Sequence, residues 1–480
     1  MLRTLIRKEI TETILDLRFW IVTALFLILI PLGMYVSRKD YERRLANYQQ
    51  EHGMYRQHYG KDTGPSIEAQ GFRPPSVLSI FALGLDPFMP DKAITSRSGL
   101  VRAAKEPGID NPESLLFGKA DFLFNVSFIV SLAALIFTFN RISGEREKGT
   151  LRLMISGSIR RGEILLAKIM GNYIVLLVPF IIAFLAALII LNSSSAISIW
   201  SSEFMLPLLA IILITLLFML VMVSLGICVS TLTHGSIASI MMLFLVWVIA
   251  VLGIPKISPM IAEAIYPIES RNVVDLSQRI AREDIEREFS EKKSDLFKRC
   301  RTEFGVTHSS VSTRPSGEAE EKAYAKYDQE VVDVENECQR RIADAIRKLE
   351  QDYRNKRNAQ ASLAVNLSRI SPVSCYTYLI SGLAGTGSSG PDKFNENAER
   401  YQDQVKAAIY DNWIVKTYRL GGSRATSTLE VEGFDSDKIS VPEIKYEYTT
   451  IAEVMRAGWV DILLLFLFNI LFFAIAFWRF

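Results

Sequence analysis

The sequence predicts an all-α integral membrane protein: six transmembrane helices with two extracytoplasmic inserts, the larger a helical hairpin plus a small α/β or β portion. Three observations carry this. The 480-residue chain is 49% hydrophobic with 27 Phe, and its apolar residues are clustered rather than dispersed. Lys and Arg crowd the short loops on one side of the apolar windows and are missing from the other. Two long polar segments interrupt the pattern, one after the first window and one after the fifth.

A bilayer core of about 30 Å needs roughly 17–25 helical residues. Six windows satisfy this: Phe19–Val36, Phe122–Phe139, Met170–Leu191, Phe204–Ser230, Ser236–Pro255 and Val460–Phe477. None has Arg or Lys in its middle, where each would cost about 2.5–3.5 kcal/mol. With flanks, the spans are set at 19–36, 121–140, 170–191, 204–230, 236–255 and 460–478. No small-x-small cleavage site follows the first window, so it is expected to remain as an anchor. Ahead of it, residues 1–18 place Leu2, Leu5, Ile6, Ile10, Ile14 and Leu17 on one helical face, opposite Arg3, Arg7, Lys8, Glu12 and Asp16. An amphipathic helix of this kind is expected to lie in the interface, its apolar side in membrane lipid.

Segment 141–163 carries Arg141, Arg146, Lys148, Arg152, Arg160 and Arg161, whereas 192–203 has neither Lys nor Arg. The positive-inside rule then puts both termini, 141–169 and the turn near 233–235 in the cytoplasm, and the inserts 37–120 and 257–458 outside. In the larger insert, Val331, Val334, Cys338, Ile342, Ile346, Leu349 and Tyr353 recur at steps of three and four, which predicts a helical hairpin over about 273–358 turning at 305–317. In an antiparallel hairpin Cys300 and Cys338 would lie roughly 25 Å apart, too far for a disulfide. A helical run is expected after 391, and the alternation in 428–450 predicts strands or extended connectors. The proline-punctuated stretch 74–90 is expected to pack on the second insert rather than enter the membrane.

A protein that moves something needs an energy source. The nearest approach to a phosphate-binding loop, "GSIRRGEI" at 157–164, has Glu163 where the phosphate-binding Lys must stand. No zinc-protease or serine-hydrolase motif is present, the four His at 52, 58, 234 and 308 are scattered, and the four Cys show no CxxC spacing. The residues thus supply no catalytic group, no metal ligands, no cofactor site and no nucleic-acid-binding pattern. Ionisable residues deep in spans, the mark of ion-coupled transport, are also absent: Asp121, Lys168 and Asp461 fall near helix ends, and Asn469 is read as a bond between helices. The drive is expected to come from another polypeptide. On residues alone the alternative is a membrane-anchored structural or sensor protein whose outer hairpin binds a ligand or partner.

The stretch "SGEREKGTLRLMISGSIRRGEILLAK" at 143–168 is a charged excursion between two spans. Leu151, Met154, Ile155 and Ile159 can form one face of a short helix, with Glu145 and Glu147 ahead of its start, Thr150 as a cap and Gly157 as a stop. This stretch resembles the segment between the second and third spans of ABC-2 type transporter permeases, with E-x-E-x-G-T-L as Glu145, Glu147, Gly149, Thr150 and Leu151, then Ser158, Arg160 or Arg161, and Ile164–Lys168 entering the next span. The large inserts resemble the subgroup linked to gliding motility or nitrous oxide reductase maturation. The resemblance implies a permease subunit of an ATP-driven exporter or mechanical transmitter in the bacterial or archaeal cytoplasmic membrane. It would pair with a second permease copy or related permease, and with two copies of an ABC ATPase that carry the ATP and Mg. An extracytoplasmic partner would fit the inserts. Residues Glu145, Arg146, Glu147, Lys148, Gly149, Thr150, Leu151, Arg152, Arg160 and Arg161 would be the coupling helix and its flanks, and residues 1–18 the connecting helix. The second and fifth spans would line a path, with Asn125, Ser127, Thr138, Ser236, Ser239, Met242 and Trp247 as candidates by position.

Overall fold

The computed structural model describes residues 2–59, 69–95, 101–104, 120–155, 160–304, 318–411, 413–420, 427–434 and 443–480. Six helices are long and apolar enough to cross a membrane: Leu17–Gln57, Phe122–Glu147, Arg161–Asn192, Phe204–Leu232, Ser236–Ile265 and Trp459–Arg479. The protein is an all-α integral membrane protein. It divides into two compact units, Met1–Ile254 with Arg369–Phe480, and Pro255–Ser368.

In the first unit the amphipathic helix Leu2–Ile14 precedes span one. Span one does not end with its apolar window. Its helix runs unbroken from Leu17 to Tyr59, because the charged continuation supplies its own i,i+3 and i,i+4 partners, Arg38–Glu42, Lys39–Glu42 and Asp40–Arg44. Arg38 also donates to Ile190 O at 2.8 Å, tying this helix to the end of span three. Beyond it Asp86 receives both Arg44 and the buried Arg73, the latter at 2.6 Å. This buried cluster fixes the first insert to the helix.

Three short strands in that insert, Ala69–Phe72, Lys92–Thr95 and Val101–Ala104, form an antiparallel sheet in which Ala69 faces Thr95 and Lys92 faces Ala104. Four-residue strands with no alternation leave no trace that periodicity can detect, and none was expected here. The 74–90 stretch packs on the second insert: Ser76 Oγ donates to Ala384 O, and Thr386 Oγ1 to Ala82 O, each at 2.8 Å.

A helix that the sequence pattern did not suggest, Pro372–Leu383, packs against spans four and six. Ser371 caps it by accepting from Val373 N, and Pro372 follows at the first helical position. Its Tyr376 is fully buried, stacks on Phe218 at 4.5 Å and bonds to Thr215 at 3.1 Å. Arg369, just ahead of it, grips Asp461 of span six with two bonds of 2.7 and 3.0 Å. Then come the helix Gly390–Asp411 and an antiparallel pair, Trp413–Leu420 with Ser427–Phe434. The first of that pair begins earlier than the strands anticipated within 428–450.

The second unit is the hairpin Arg271–Phe304 and Glu318–Ser368, preceded by the helix Ile254–Ile265. Its second helix runs ten residues past 358, since "AQASLAVNLS" contains neither Pro nor Gly to stop it. Val334, Cys338, Ile342 and Ile346 of the predicted stripe form its core with Ile285 and Phe289 of the first helix. Glu288–Arg341, Lys293–Glu335 and Arg271–Glu350 pair across the hairpin. Cys338 is a free thiol, as are Cys228 and Cys375.

Candidate functional site: the polar hub after span two

Span two breaks after Thr138, re-forms one helical turn at Ser143–Glu147, and turns at Gly149 into the short helix Thr150–Ile155. Ser230 of span four bridges the break. Its hydroxyl accepts from the amides of Ile142 and Ser143, each at 3.1 Å, and donates to Phe139 O at 2.8 Å. Gly149 has φ +74°, the left-handed conformation that closes a helix at little cost only in glycine. Its amide bonds to Arg146 O and that of Lys148 to Gly144 O. The glycine that stops a helix here is Gly149; Gly157, Ser158 and Ile159 lie outside the described residues.

The charges of this segment are divided among four neighbours. Arg146 donates to the carbonyls of Thr231 and Thr233 at 3.1 and 2.9 Å, at the C-terminal end of span four, where the helix dipole favours a cation. Glu147 accepts from the amide and hydroxyl of Ser236 at 3.1 and 2.9 Å, capping the N-terminus of span five, where the dipole favours an anion. Glu145 turns the other way and meets Lys168 of span three at 2.8 Å. Lys168, nearly inaccessible to solvent, also holds Glu9 of the amphipathic helix at 2.9 Å. Arg141 donates to Thr13 Oγ1 at 2.6 Å, a second tie to that helix.

By sequence, Glu145 and Glu147 are expected at the start of the short helix and Thr150 as its cap. The structure sends both carboxylates elsewhere, and the Thr150 hydroxyl donates back to Glu145 O at 3.2 Å. The reason is competition. Span five and Lys168 offer these carboxylates a full helix terminus and a buried cation, whereas the short helix has only six residues. The amphipathic helix differs similarly. Glu9 and Thr13 are its buried residues, facing span three, while Leu2, Ile14 and Leu17 remain exposed. Glu9 lies so close to span three that a Cβ on Gly171 would sit 2.7 Å from the Glu9 Cβ.

Of the predicted coupling residues, Glu147, Lys148, Gly149, Thr150, Arg160 and Arg161 are exposed, whereas Leu151 is buried; the side chain of Arg152 lies outside the described residues. The predicted path residues do not converge on one surface. Trp247 donates to Ser131 at 2.9 Å and Ser239 to Phe139 O, so spans two and five are joined through hydroxyls. Asn125 instead donates to Leu29 O of span one at 3.2 Å, and Thr138 packs on Gly226 of span four. Ser236 belongs to the hub, Met242 is exposed, and the buried Ser127 hydroxyl has no partner among the described residues. Asn469 accepts from Ser224 at 3.1 Å, a bond between spans six and four. Each of spans two and five contains a π-helical stretch, Asn125–Val130 and Ile249–Gly253, and Ser371 donates to the Ala250 carbonyl within the second.

Sequence reasoning missed Glu9, Thr13, Arg141, Lys168 and Ser230 as hub members. One signal was available: Glu9 and Thr13 sit in the middle of the otherwise apolar face of the first helix, so that face must meet something polar.

A family model described as ABC-2 family transporter protein matches residues 3–480. No curated protein matches the chain. The family match takes in the spans, the hub and both inserts, and the six apolar helices agree with it. The chain belongs to the ABC-2 transporter family and is a multi-pass membrane permease component of an ABC transporter.

Proposed function

We propose that residues 145–161 are the site where a separate ABC ATPase delivers the work of ATP hydrolysis to this permease. The observation that carries this reading is the division of labour in the hub. Arg146 and Glu147 hold the facing ends of spans four and five, Glu145 holds span three, and their neighbours Lys148, Gly149 and Thr150 remain open to a partner. A push on the exposed residues displaces three spans together. ATP and Mg belong to the partner ATPase, two copies of which would serve this permease and a second permease copy or related chain. The basic residues of the hub favour a cytoplasmic placement, with both termini on that side of the cell's inner membrane.

The inserts then lie outside, and span one, tied to span three through Arg38, leads directly into the first of them, since its helix continues through 43 residues. We read the output as export of a substrate, or mechanical work on an outer partner. The test is purification of the tagged chain from its own cell. An ABC ATPase should accompany the wild type, and Glu147→Arg should leave the chain inserted but release the ATPase. Recovery of no ATPase with the wild type, or full recovery with Glu147→Arg, refutes the reading.

A further inference from the structure

The strongest unexplained feature is the buried ion group at Lys168. A lysine seven residues into a spanning helix is costly to bury, and its ammonium holds two carboxylates from separate elements, Glu9 at 2.9 Å and Glu145 at 2.8 Å. Each uses one oxygen on Lys168 and leaves the other buried without a partner among the described residues. Two half-satisfied carboxylates around one cation make a poor permanent cement, because buried ion pairs with unsatisfied atoms are not a stabilising arrangement. They do make the position of one carboxylate matter to the other.

We propose that Lys168 is a positioning residue that makes the amphipathic helix Leu2–Ile14 a moving part of the transmission. This rests on the coupling role assigned above to residues 145–161. When the Ser143–Glu147 turn is displaced, Glu145 draws on the Lys168 ammonium. Glu9 then follows or is released, and with it the helix packed against Gly171. Arg141 to Thr13 is a parallel tie from the end of span two to the same helix. That tie lies outside the Ser143–Glu147 turn, so the Glu9–Lys168–Glu145 link is the one that follows the turn's displacement. The exposed Leu2 and Ile14 of the amphipathic helix carry the movement to the lipid interface.

The test uses the full chain in complex with its ATPase, with the four native cysteines replaced. Spin labels are placed at Arg7 and Trp478 to follow the helix, and at Lys148 and Trp478 to follow the coupling segment. Distances are compared without nucleotide and with ATP plus vanadate. In the wild type both distances should shift. In Lys168→Met the Lys148 distance should still shift while the Arg7 distance no longer responds, and Lys168→Arg should restore the response. The triple variant Glu9→Gln/Lys168→Met/Glu145→Gln, which keeps the packing without buried charge, should also lose the Arg7 response. If Lys168→Met and the triple variant both retain it, Lys168 does not position the helix and the proposal fails. If Lys148 itself does not respond in the wild type, the coupling assignment beneath the proposal fails instead.

Discussion

Gly226→Ala tests the packing of span four on span two. A Cβ on Gly226 would fall on the Thr138 hydroxyl and lie 2.8 Å from the Thr138 Cβ. Thr138 is fully buried, and its hydroxyl is engaged with Ala134 O at 2.7 Å. Rotating the side chain moves the hydroxyl but not the Cβ, so the helices must part. Overpacking of this severity costs about 3 kcal/mol, the upper end of the usual range. The better helix propensity of alanine offsets about 1 kcal/mol. The expected net loss is about 2 kcal/mol, read as a lower midpoint when the protein is unfolded by SDS in mixed micelles and followed by circular dichroism. In a Thr138→Gly background all three nearby side-chain atoms are gone, and the same Gly226→Ala change should become stabilising by about 1 kcal/mol. A Gly226→Ala protein as stable as the wild type, with no change of sign in the Thr138→Gly background, would refute the close approach. The cycle also bears on Thr138 as a path residue, because a threonine whose removal is felt mainly through Gly226 is packing rather than lining a route.

Asp461→Asn should destabilise the first unit by about 1.5–3 kcal/mol, since it weakens the two charge-assisted bonds between the buried Asp461 and the partly exposed Arg369; the same SDS titration measures it, and a loss under 1 kcal/mol would contradict this engagement. Gly149→Ala should cost about 1–2 kcal/mol through its positive φ, as no atom of the described residues lies within 4 Å of a Cβ there. Gly149→Asn should be milder and Gly149→Pro worst, and the yield of co-purified ATPase ranks them. In the hairpin, hydrogen bonds from Arg341 and then Lys292 hold the Glu288 carboxyl below its ordinary value of 4.5. Burial pushes Glu350 up, but Arg271 and Arg354 together outweigh it and hold it below 4.5 as well. Lowered carboxylates contribute stability that is complete above their unfolded values and is lost as pH falls through the folded ones. The thermal midpoint of the hairpin should therefore be level from pH 7 to 5 and fall below 4.5, and Glu350→Gln should flatten that fall.

The spans and the hairpin were legible because both are written as long periodic patterns. A window such as Met170–Leu191 admits one reading, and the stripe from Val331 to Tyr353 names its own buried face. The three four-residue strands of the first insert were not legible, since pairing such as Ala69 with Thr95 depends on a neighbour 26 positions away in the chain. Pro372–Leu383 escaped for another reason: it is only twelve residues long and its polar positions, Ser374, Thr377 and Ser381, carry no charge, so its period is faintly marked. At the hub, position was legible and partners were not. Charge bias could locate Glu145 and Glu147 near the membrane surface, but which helix end each would occupy depends on how spans three, four and five are arranged around them.

Arg146 and Glu147 are consecutive, yet one sits on the carboxyl end of span four and the other on the amino end of span five. The dipeptide is thus a plug with a polarity. Exchanging the two residues would set each charge against the pole that repels it, and slipping the segment by one residue would bring Glu145 and Arg146, in reversed order, to the same socket. The turn can seat in one register only. A load applied at Lys148 or Gly149 has no neighbouring notch into which the segment can skip, so the load must move the helices themselves.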